Sequence, residues 1–299
     1  MSLAKKVKTA LDETRLLILG AQVLFGFQLN GVFQEAFVGL DWSTRLITCL
    51  GQFLMVFSIV LLIAPSMQHR LVERGEDSNR IHRATTRYAG WALLPFGISL
   101  GISTFLVFDH LYGRTAGLIL GTLFCALAGF FWFGLEVAVK LSTGNKRKSE
   151  EEKPTPLPAK IDQMLTEARV ILPGAQALMG FQLTVTLMRS FEQLPGQVKL
   201  AHVAALCCVG LAIILLMTPA ALHRISFAGE DTATFFRLGS AFVIAAPVFL
   251  AFGIAGDLFV AAYKASDSHI LAAAVASGSA LLLTLFWFAI PLYIRRVRS

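Results

Sequence analysis

Eight long apolar runs constrain the fold of this chain more than any other feature of its sequence. A helix needs about 20 residues to cross the hydrocarbon core of a membrane, and these runs are apolar on all sides instead of alternating as membrane β-strands do. Only 15% of the residues are charged and 56% are hydrophobic, whereas soluble domains carry about 25% charged residues. The sequence therefore predicts an all-α polytopic membrane protein, with spans near 16–37, 46–65, 88–108, 115–139, 170–188, 199–219, 238–262 and 270–294.

The sequence also repeats within the chain. Residues 13–29, ETRLLILGAQVLFGFQL, recur as 167–183, EARVILPGAQALMGFQL, and the same displacement of 154 residues carries Pro65 onto Pro219. Each copy holds an even number of spans, so both copies enter the membrane from the same side. We therefore predict a parallel 4+4 tandem repeat of eight transmembrane helices. Its parts are a first four-helix module over 1–141, a flexible, charged and proline-broken linker over 142–160, and a second module over 161–299.

Basic residues indicate the orientation of this arrangement. Of the 26 lysines and arginines, all but five lie on the side of the N-terminus, the exceptions being Arg45, Arg114, Arg189, Lys199 and Lys264. Because loops rich in Lys and Arg stay on the cytoplasmic side, we expect both termini to be cytoplasmic. The net charge of +7 then matches anionic lipid headgroups of the bilayer, and we expect no nucleic-acid partner.

Amide and carboxyl side chains inside the apolar runs are the first candidate site. The candidates in the first helix of each copy are Gln22 with its repeat Gln176, and Gln28 with its repeat Gln182. Each amide either hydrogen-bonds a neighbouring helix that small residues bring close, or lines a path for an ion or proton. Asp257, in the seventh run, lies either at the outer interface or inside the membrane, where carboxylates mark ion and proton paths.

Charged residues at the predicted cytoplasmic helix ends are the second candidate site. Pro65 and Pro219 are predicted to end or kink their helices just before a His-Arg pair. One interpretation is anchoring at the headgroups, and the other is an ion-pair cluster that closes each module and whose histidines sense pH. The cluster would comprise Glu13, Arg15, His69, Arg70, Glu167, Arg169, His223 and Arg224, with Glu76, Asp77 and their repeats Glu230 and Asp231 beside them. A separate ion pair is predicted between Glu136 and Lys140.

No motif indicates catalysis or a cofactor. The sequence has no nucleophile elbow, phosphate-binding loop or metal-ligand spacing, and its four cysteines lie in apolar runs as small hydrophobic residues do. We expect no enzymatic activity, cofactor or metal site. Two classes of function stay open: an ion- or proton-linked transporter or channel whose partner is a small cation or proton, and a non-catalytic membrane scaffold or accessory protein. A homo-oligomer also stays open.

Five short signatures occur in both copies: Glu-x-Arg, Gly-Ala-Gln, Gly-Phe-Gln-Leu, Pro-x-x-x-His-Arg and Trp-Phe. In these, the sequence resembles a family of short bacterial four-span membrane proteins of unknown function, some of which carry an automatic label of sodium:proton antiporter. The resemblance covers Glu13 to about Leu141 and Glu167 to about Arg296. It implies that the chain is a covalently fused pair of modules in the bacterial cytoplasmic (inner) membrane.

Overall fold

The computed structural model describes residues 3–134 and 154–298. Eight long helices run through them: α1 (Leu3–Gly31), α2 (Trp42–Leu71), α3 (Asn79–Tyr112), α4 (Arg114–Gly129, continued by a π-helical turn Phe130–Gly134), α5 (Leu157–Thr186), α6 (Gly196–Ile225), α7 (Ala233–Ser266) and α8 (His269–Thr284, continued by a π-helical turn Leu285–Ala289 and by Ile290–Arg298). Short helical turns cover Glu35–Val38 and Arg189–Glu192. The predicted Glu136–Lys140 pair and residues 142–153 of the predicted linker lie outside the described residues.

The predicted all-α fold is confirmed for the part of the chain that the structure describes, which contains no strand. Six helices are long and apolar enough to cross a membrane, namely α2, α3, α4, α6, α7 and α8. The two remaining long helices, α1 and α5, carry the repeated glutamines and the charged residues before them. The first helix of each copy is thus also its most polar long helix.

The turn between the second and third helix has the same backbone in both copies. Arg74 and Gly75 have φ of 52° and 82°, and their repeats Ala228 and Gly229 have 49° and 82°. Left-handed residues at a helix end let the following N–H groups bond back to the last free carbonyls, and Gly75 N–H donates to the His69 carbonyl at 3.2 Å. The next helix then begins with a side-chain cap, Ser78 for α3 and Thr232 for α7.

Proline does not end the helices where the sequence predicted an end or a kink. The helix α2 continues through Pro65 to Leu71, and α6 continues through Pro219 to Ile225. A proline removes one backbone hydrogen bond, and in α2 every residue from Ser58 to Leu71 is buried, so packing compensates for the lost bond. Similarly, α5 begins at Leu157, inside the predicted linker, and runs through Pro173 without a break.

The second helix of the first copy lies at the centre of the bundle. The helix α2 packs against α1, α3, α7 and α8, whereas its repeat α6 packs against α5 and α7. In its most apolar stretch, α2 has 67% of its residues buried, whereas α6 has 28% of its residues buried in the corresponding stretch. The indole N–H of Trp287 in α8 donates to the Val60 carbonyl of α2 at 2.9 Å. We call the end of the bundle where α2 ends and α3 begins the Arg70 end, and the opposite one the Asp267 end.

Candidate functional site

A fully buried carboxylate lies in α7, toward the Asp267 end. Asp257 is 0% exposed, and the Gln182 amide of α5 donates to its two oxygens at 2.9 and 2.8 Å. The ring of His202 in α6 is equally buried, with Nδ1 3.9 Å from the Asp257 carboxylate. Three helices thus place a carboxyl, an amide and an imidazole together in an apolar interior. We call these three residues the Asp257 cluster.

The hydrogen-bond pattern of the Asp257 cluster leaves a place for one proton. His202 Nε2 lies 3.0 Å from the Gln182 backbone carbonyl, which can only accept, so Nε2 carries a hydrogen. In a neutral ring, Nδ1 is then a bare acceptor, and it has no hydrogen-bond partner among the described residues. A bare nitrogen and a carboxylate oxygen that face each other in an apolar interior are satisfied when a proton lies on one of them.

The corresponding positions of the first copy form a polar cluster with no ionisable member. The Gln28 amide donates to the Ser99 and Ser103 hydroxyls at 2.8 and 2.9 Å, and Ser99 donates to the Gly51 carbonyl at 2.7 Å. Gln52 donates to the backbone carbonyl of Gln28 at 2.9 Å. Ser103 occupies the position that repeats as Asp257. Each copy therefore uses its second glutamine to join the first helix to the third.

Gln22 lies where the two halves meet through α1 and α5. It is 1% exposed, and its amide fills the space that a Cβ on Gly174 would need. Gly26 similarly leaves room for the ring of Phe181, which packs against Phe27 with centroids 4.6 Å apart. The sequence predicted either a hydrogen-bonding neighbour or a polar path for Gln22, and the structure places a glycine beside an amide with no partner among the described residues. Its surroundings are tightly packed.

A buried ion pair joins the two halves at the Arg70 end. Glu167 of α5 is 2% exposed and accepts from the Nε–H of Arg70 and from the Nδ1–H of His69 at 2.8 Å. Both partners belong to α2, in the other half. The sequence predicted a cluster that closes each module on itself. The structure places His223 of the second module 3.4 Å from Asp231 of the same module, but the buried cluster of His69, Arg70 and Glu167 ties the two modules together.

Residues around this ion pair extend the contact between the halves. Glu76 accepts from the Lys160 ammonium and from the Thr155 N–H, the latter at 2.7 Å. Burial alone would raise the pKa of Glu76, but these hydrogen bonds and the nearby ammonium outweigh burial, so the pKa lies below its ordinary value. Asp77 accepts from Gln163 at 2.8 Å. Here burial dominates and raises the pKa of Asp77.

The other predicted site residues lie outside these clusters. Gln176, Glu13, Arg169 and Arg224 are exposed. Arg15 contacts the Thr166 carbonyl at 3.4 Å, and His223 lies 3.4 Å from Asp231. Sequence reasoning missed the contacts of His202, Thr155, Lys160 and Gln163. A single histidine inside the predicted span 199–219 was the available signal for His202.

Metal ligation finds no support in the described ranges, where no group of three His, Cys, Asp or Glu side chains is placed to hold an ion. Four cavities of about 290, 290, 600 and 570 Å³ lie at the surface. Neither Gln22 nor any residue of the Asp257 cluster lines these four.

Long apolar helices that bury ionisable side chains among themselves are compatible with a polytopic membrane protein. The chain belongs to the family of unknown function DUF6328, whose model matches residues 2–136 and again residues 150–291. The two matched segments agree with a chain made of two copies. No curated protein and no solved structure matches the sequence. Membership of this family carries no established activity.

Proposed function

We propose that the chain is an eight-span membrane protein of the bacterial cytoplasmic membrane, with two four-helix modules the same way up and both termini cytoplasmic. The distribution of basic residues supports this orientation, which makes the Arg70 end cytoplasmic. Packing supports counting α1 and α5 as spans, because these less apolar helices lie against each other. The test is cysteine labelling at Gly113 and Ser268 in a variant without native cysteines: modification of both from outside is expected, and opposite sides would refute the topology.

We propose that the protein moves a proton or a small cation across the membrane, and that the Asp257 cluster carries it. The single observation behind this proposal is the buried carboxylate beside a buried imidazole, with Gln182 bonded to both. Ionisable groups are costly inside a membrane, and they mark proton and ion paths. A scaffold has no need for the carboxylate, because the first copy joins the equivalent helices, α1 and α3, with the neutral Gln28 and Ser103.

The arrangement supports a cycle in which access to the cluster changes. Asp257 and His202 are 0% exposed, so the structure corresponds to a closed state of such a cycle. The Asp257 carboxyl would hold the transported proton, and the His202 ring, 3.9 Å away, would accept it after a small approach. Gln182 positions both groups. No enzymatic step is part of this proposal.

The test is flux into proteoliposomes, measured for protons, sodium and potassium with an imposed gradient. Wild type is expected to show flux of at least one of these ions. Asp257→Asn is expected to abolish it while keeping the fold, since the Asn oxygen still accepts from Gln182. The matched control is Ser103→Ala, the same position of the other copy, which is expected to retain flux. Absence of all three fluxes in wild type, or wild-type flux in Asp257→Asn, would refute the proposal.

The tight packing around Gln22 favours a second candidate, a membrane scaffold or accessory protein. Its amide packs against Gly174 and lines none of the four cavities described above. In a scaffold, Asp257 contributes nothing that an amide would not, so Asp257→Asn should leave every function of the protein unchanged and should raise its stability. The same proteoliposome experiment therefore separates the two candidates.

A further inference from the structure

A basic cleft of about 600 Å³ opens at the Arg70 end. The end of α2, the first turns of α7 and the end of α8 form its walls. Its charged lining consists of four arginines, Arg70, Arg74, Arg237 and Arg295, and its remaining lining includes Phe236, Ala241 and Ile244. Among the residues that the structure describes, no acidic side chain lines this cleft. A cleft with a cationic rim and an apolar wall has the composition that an amphipathic anion requires.

Three of the arginines carry charge that nothing in the described residues neutralises. Arg74, Arg237 and Arg295 are exposed, and each lacks an ion pair with a described acidic residue. Like charges that share a cleft repel one another, so their convergence here is unfavourable unless an anion lies between them. Exposed arginines that serve solubility alone have no reason to converge.

The fourth arginine supplies independent support for a bound anion. Arg70 is 95% buried, since its exposed fraction is 5%, and its Nε–H is paired with Glu167. Its guanidinium lies over the Phe236 ring, 5.8 Å from the centroid, but both terminal nitrogens lack a partner among the described residues. Both nitrogens are themselves buried. Buried guanidinium donors without acceptors are costly, and a phosphate in the cleft can accept hydrogen bonds from them once the side chain turns toward it.

We propose that this cleft, which we call the arginine cleft, binds the phosphate of an anionic ligand: a phospholipid headgroup or a free phosphate. The apolar wall formed by Phe236 and Ile244 favours the lipid, whose chains would lie against it. A lipid source rests on the membrane orientation proposed above, which places the cleft at the cytoplasmic leaflet, where basic pockets between helices bind anionic headgroups. The site does not depend on transport.

Binding is measured on the purified full chain in neutral detergent, as the rise in Tm with added ligand. The three ligands are short-chain phosphatidylglycerol, phosphatidylcholine with the same chains, and inorganic phosphate. The test variant is Arg74→Gln/Arg237→Gln/Arg295→Gln, which spares the Arg70–Glu167 pair. The matched control is Arg83→Gln/Arg224→Gln, since these exposed arginines are the repeats of Arg237 and Arg70 and do not line the cleft. Tm without ligand checks that each variant is folded.

Phosphatidylglycerol is expected to raise the Tm of wild type and of the control, with little effect of phosphatidylcholine. The triple variant should bind phosphatidylglycerol on the order of a hundredfold more weakly. A rise in Tm with inorganic phosphate that equals the phosphatidylglycerol effect and is lost in the triple variant would support the site and assign it to free phosphate. Equal phosphatidylglycerol binding by wild type and the triple variant, or no Tm change with either anion, would overturn the proposal. Because the Tm measurement does not require transport, loss of flux and loss of anion binding can be told apart.

Discussion

The second glutamine of each copy has different hydrogen-bond partners in the two copies. In the first copy, Gln28 bonds hydroxyl groups, and in the second its repeat Gln182 bonds the Asp257 carboxylate beside an imidazole. At the Arg70 end the difference reverses, because His69 is buried with a glutamate, whereas its repeat His223 is partly exposed. The repeat therefore preserves the second glutamine as the residue that joins helices, while the buried carboxylates Glu167 and Asp257 both belong to the second copy.

This difference teaches that joining the first helix of a copy to its third helix does not require a charge. A hydroxyl and an amide hold α1 against α3 with ordinary hydrogen bonds, each contributing about 1 kcal/mol. A buried carboxylate is costly to maintain and adds little stability over a neutral pair. For Asp257, the transport proposed above would account for its presence in only one copy. For Glu167, its partners lie in the other half, so it is explained by the joining of the two copies.

The largest expected effect separates Glu167 from its repeat Glu13. Glu167→Gln leaves the buried Arg70 guanidinium without its counter-charge, and we expect a loss of about 3–5 kcal/mol in the free energy of unfolding. Glu13→Gln changes an exposed side chain and should stay within about 0.5 kcal/mol. Reversible unfolding in detergent micelles measures both. Equal effects of the two substitutions would contradict the asymmetric ion pair.

Alanine substitutions at Gly26 and at its repeat Gly180 are expected to change the free energy of unfolding in opposite directions and by an intermediate amount. A Cβ at Gly26 collides with the Phe181 ring, whereas nothing lies within 4 Å of a Cβ at Gly180. Gly26→Ala should therefore destabilise the protein by about 1–3 kcal/mol. Gly180→Ala should stabilise it by roughly 0.5–1 kcal/mol, because alanine is the better helix former. The same unfolding assay tests both. A loss of stability from Gly180→Ala would contradict the finding that only Gly26 of this pair lies in the contact between α1 and α5.

The smallest expected effect depends on pH and concerns Glu76 and its repeat Glu230. Because the pKa of Glu76 is lowered in the folded protein, its ion pair stabilises the fold above the unfolded-state pKa of about 4.3 and is lost as the pH falls through the lowered value. At pH 7, Glu76→Gln should thus lower Tm slightly, because it removes no more than about 1 kcal/mol from the free energy of unfolding. At strongly acidic pH, the Tm of the variant should match that of wild type. Glu230→Gln, at an exposed position, should change Tm at neither pH. A pH-independent loss in Glu76→Gln would indicate packing instead of charge.

Local and periodic features were predictable from the sequence, and the contacts between the two copies were not. Apolar runs predicted the helices, and the repeat identified Gln22 and Gln28 as residues that join helices or line a path. The sequence predicted that the helices end or kink at Pro65 and Pro219. Neither helix ends there, because tertiary packing outweighs one missing hydrogen bond. The partner of Glu167 lies 97 residues away, in the other half, and no spacing rule within a module indicates such a pair.

The packing of α1 against α5 explains both why Gln22 is buried and why its repeat Gln176 is exposed. Both glutamines occupy one position of the repeated segment, so the sequence treats them alike. Only the packing of α1 against α5 buries one and exposes the other. Asp257 was recognisable as unusual because a carboxyl group is rare in an apolar run. Its proximity to His202 required the arrangement of three helices.

The contact between α1 and α5 uses Gly26 and Gly174, while Gly180 and Gly20 face open space. Two separate identical subunits that met in this way would each present a used and an unused face, and such head-to-tail association can continue from one molecule to the next. In the single polypeptide, the linker keeps the two partners of this contact together, while the unused faces at Gly20 and Gly180 stay open. A mutation in the fused chain therefore alters one partner of the contact at a time.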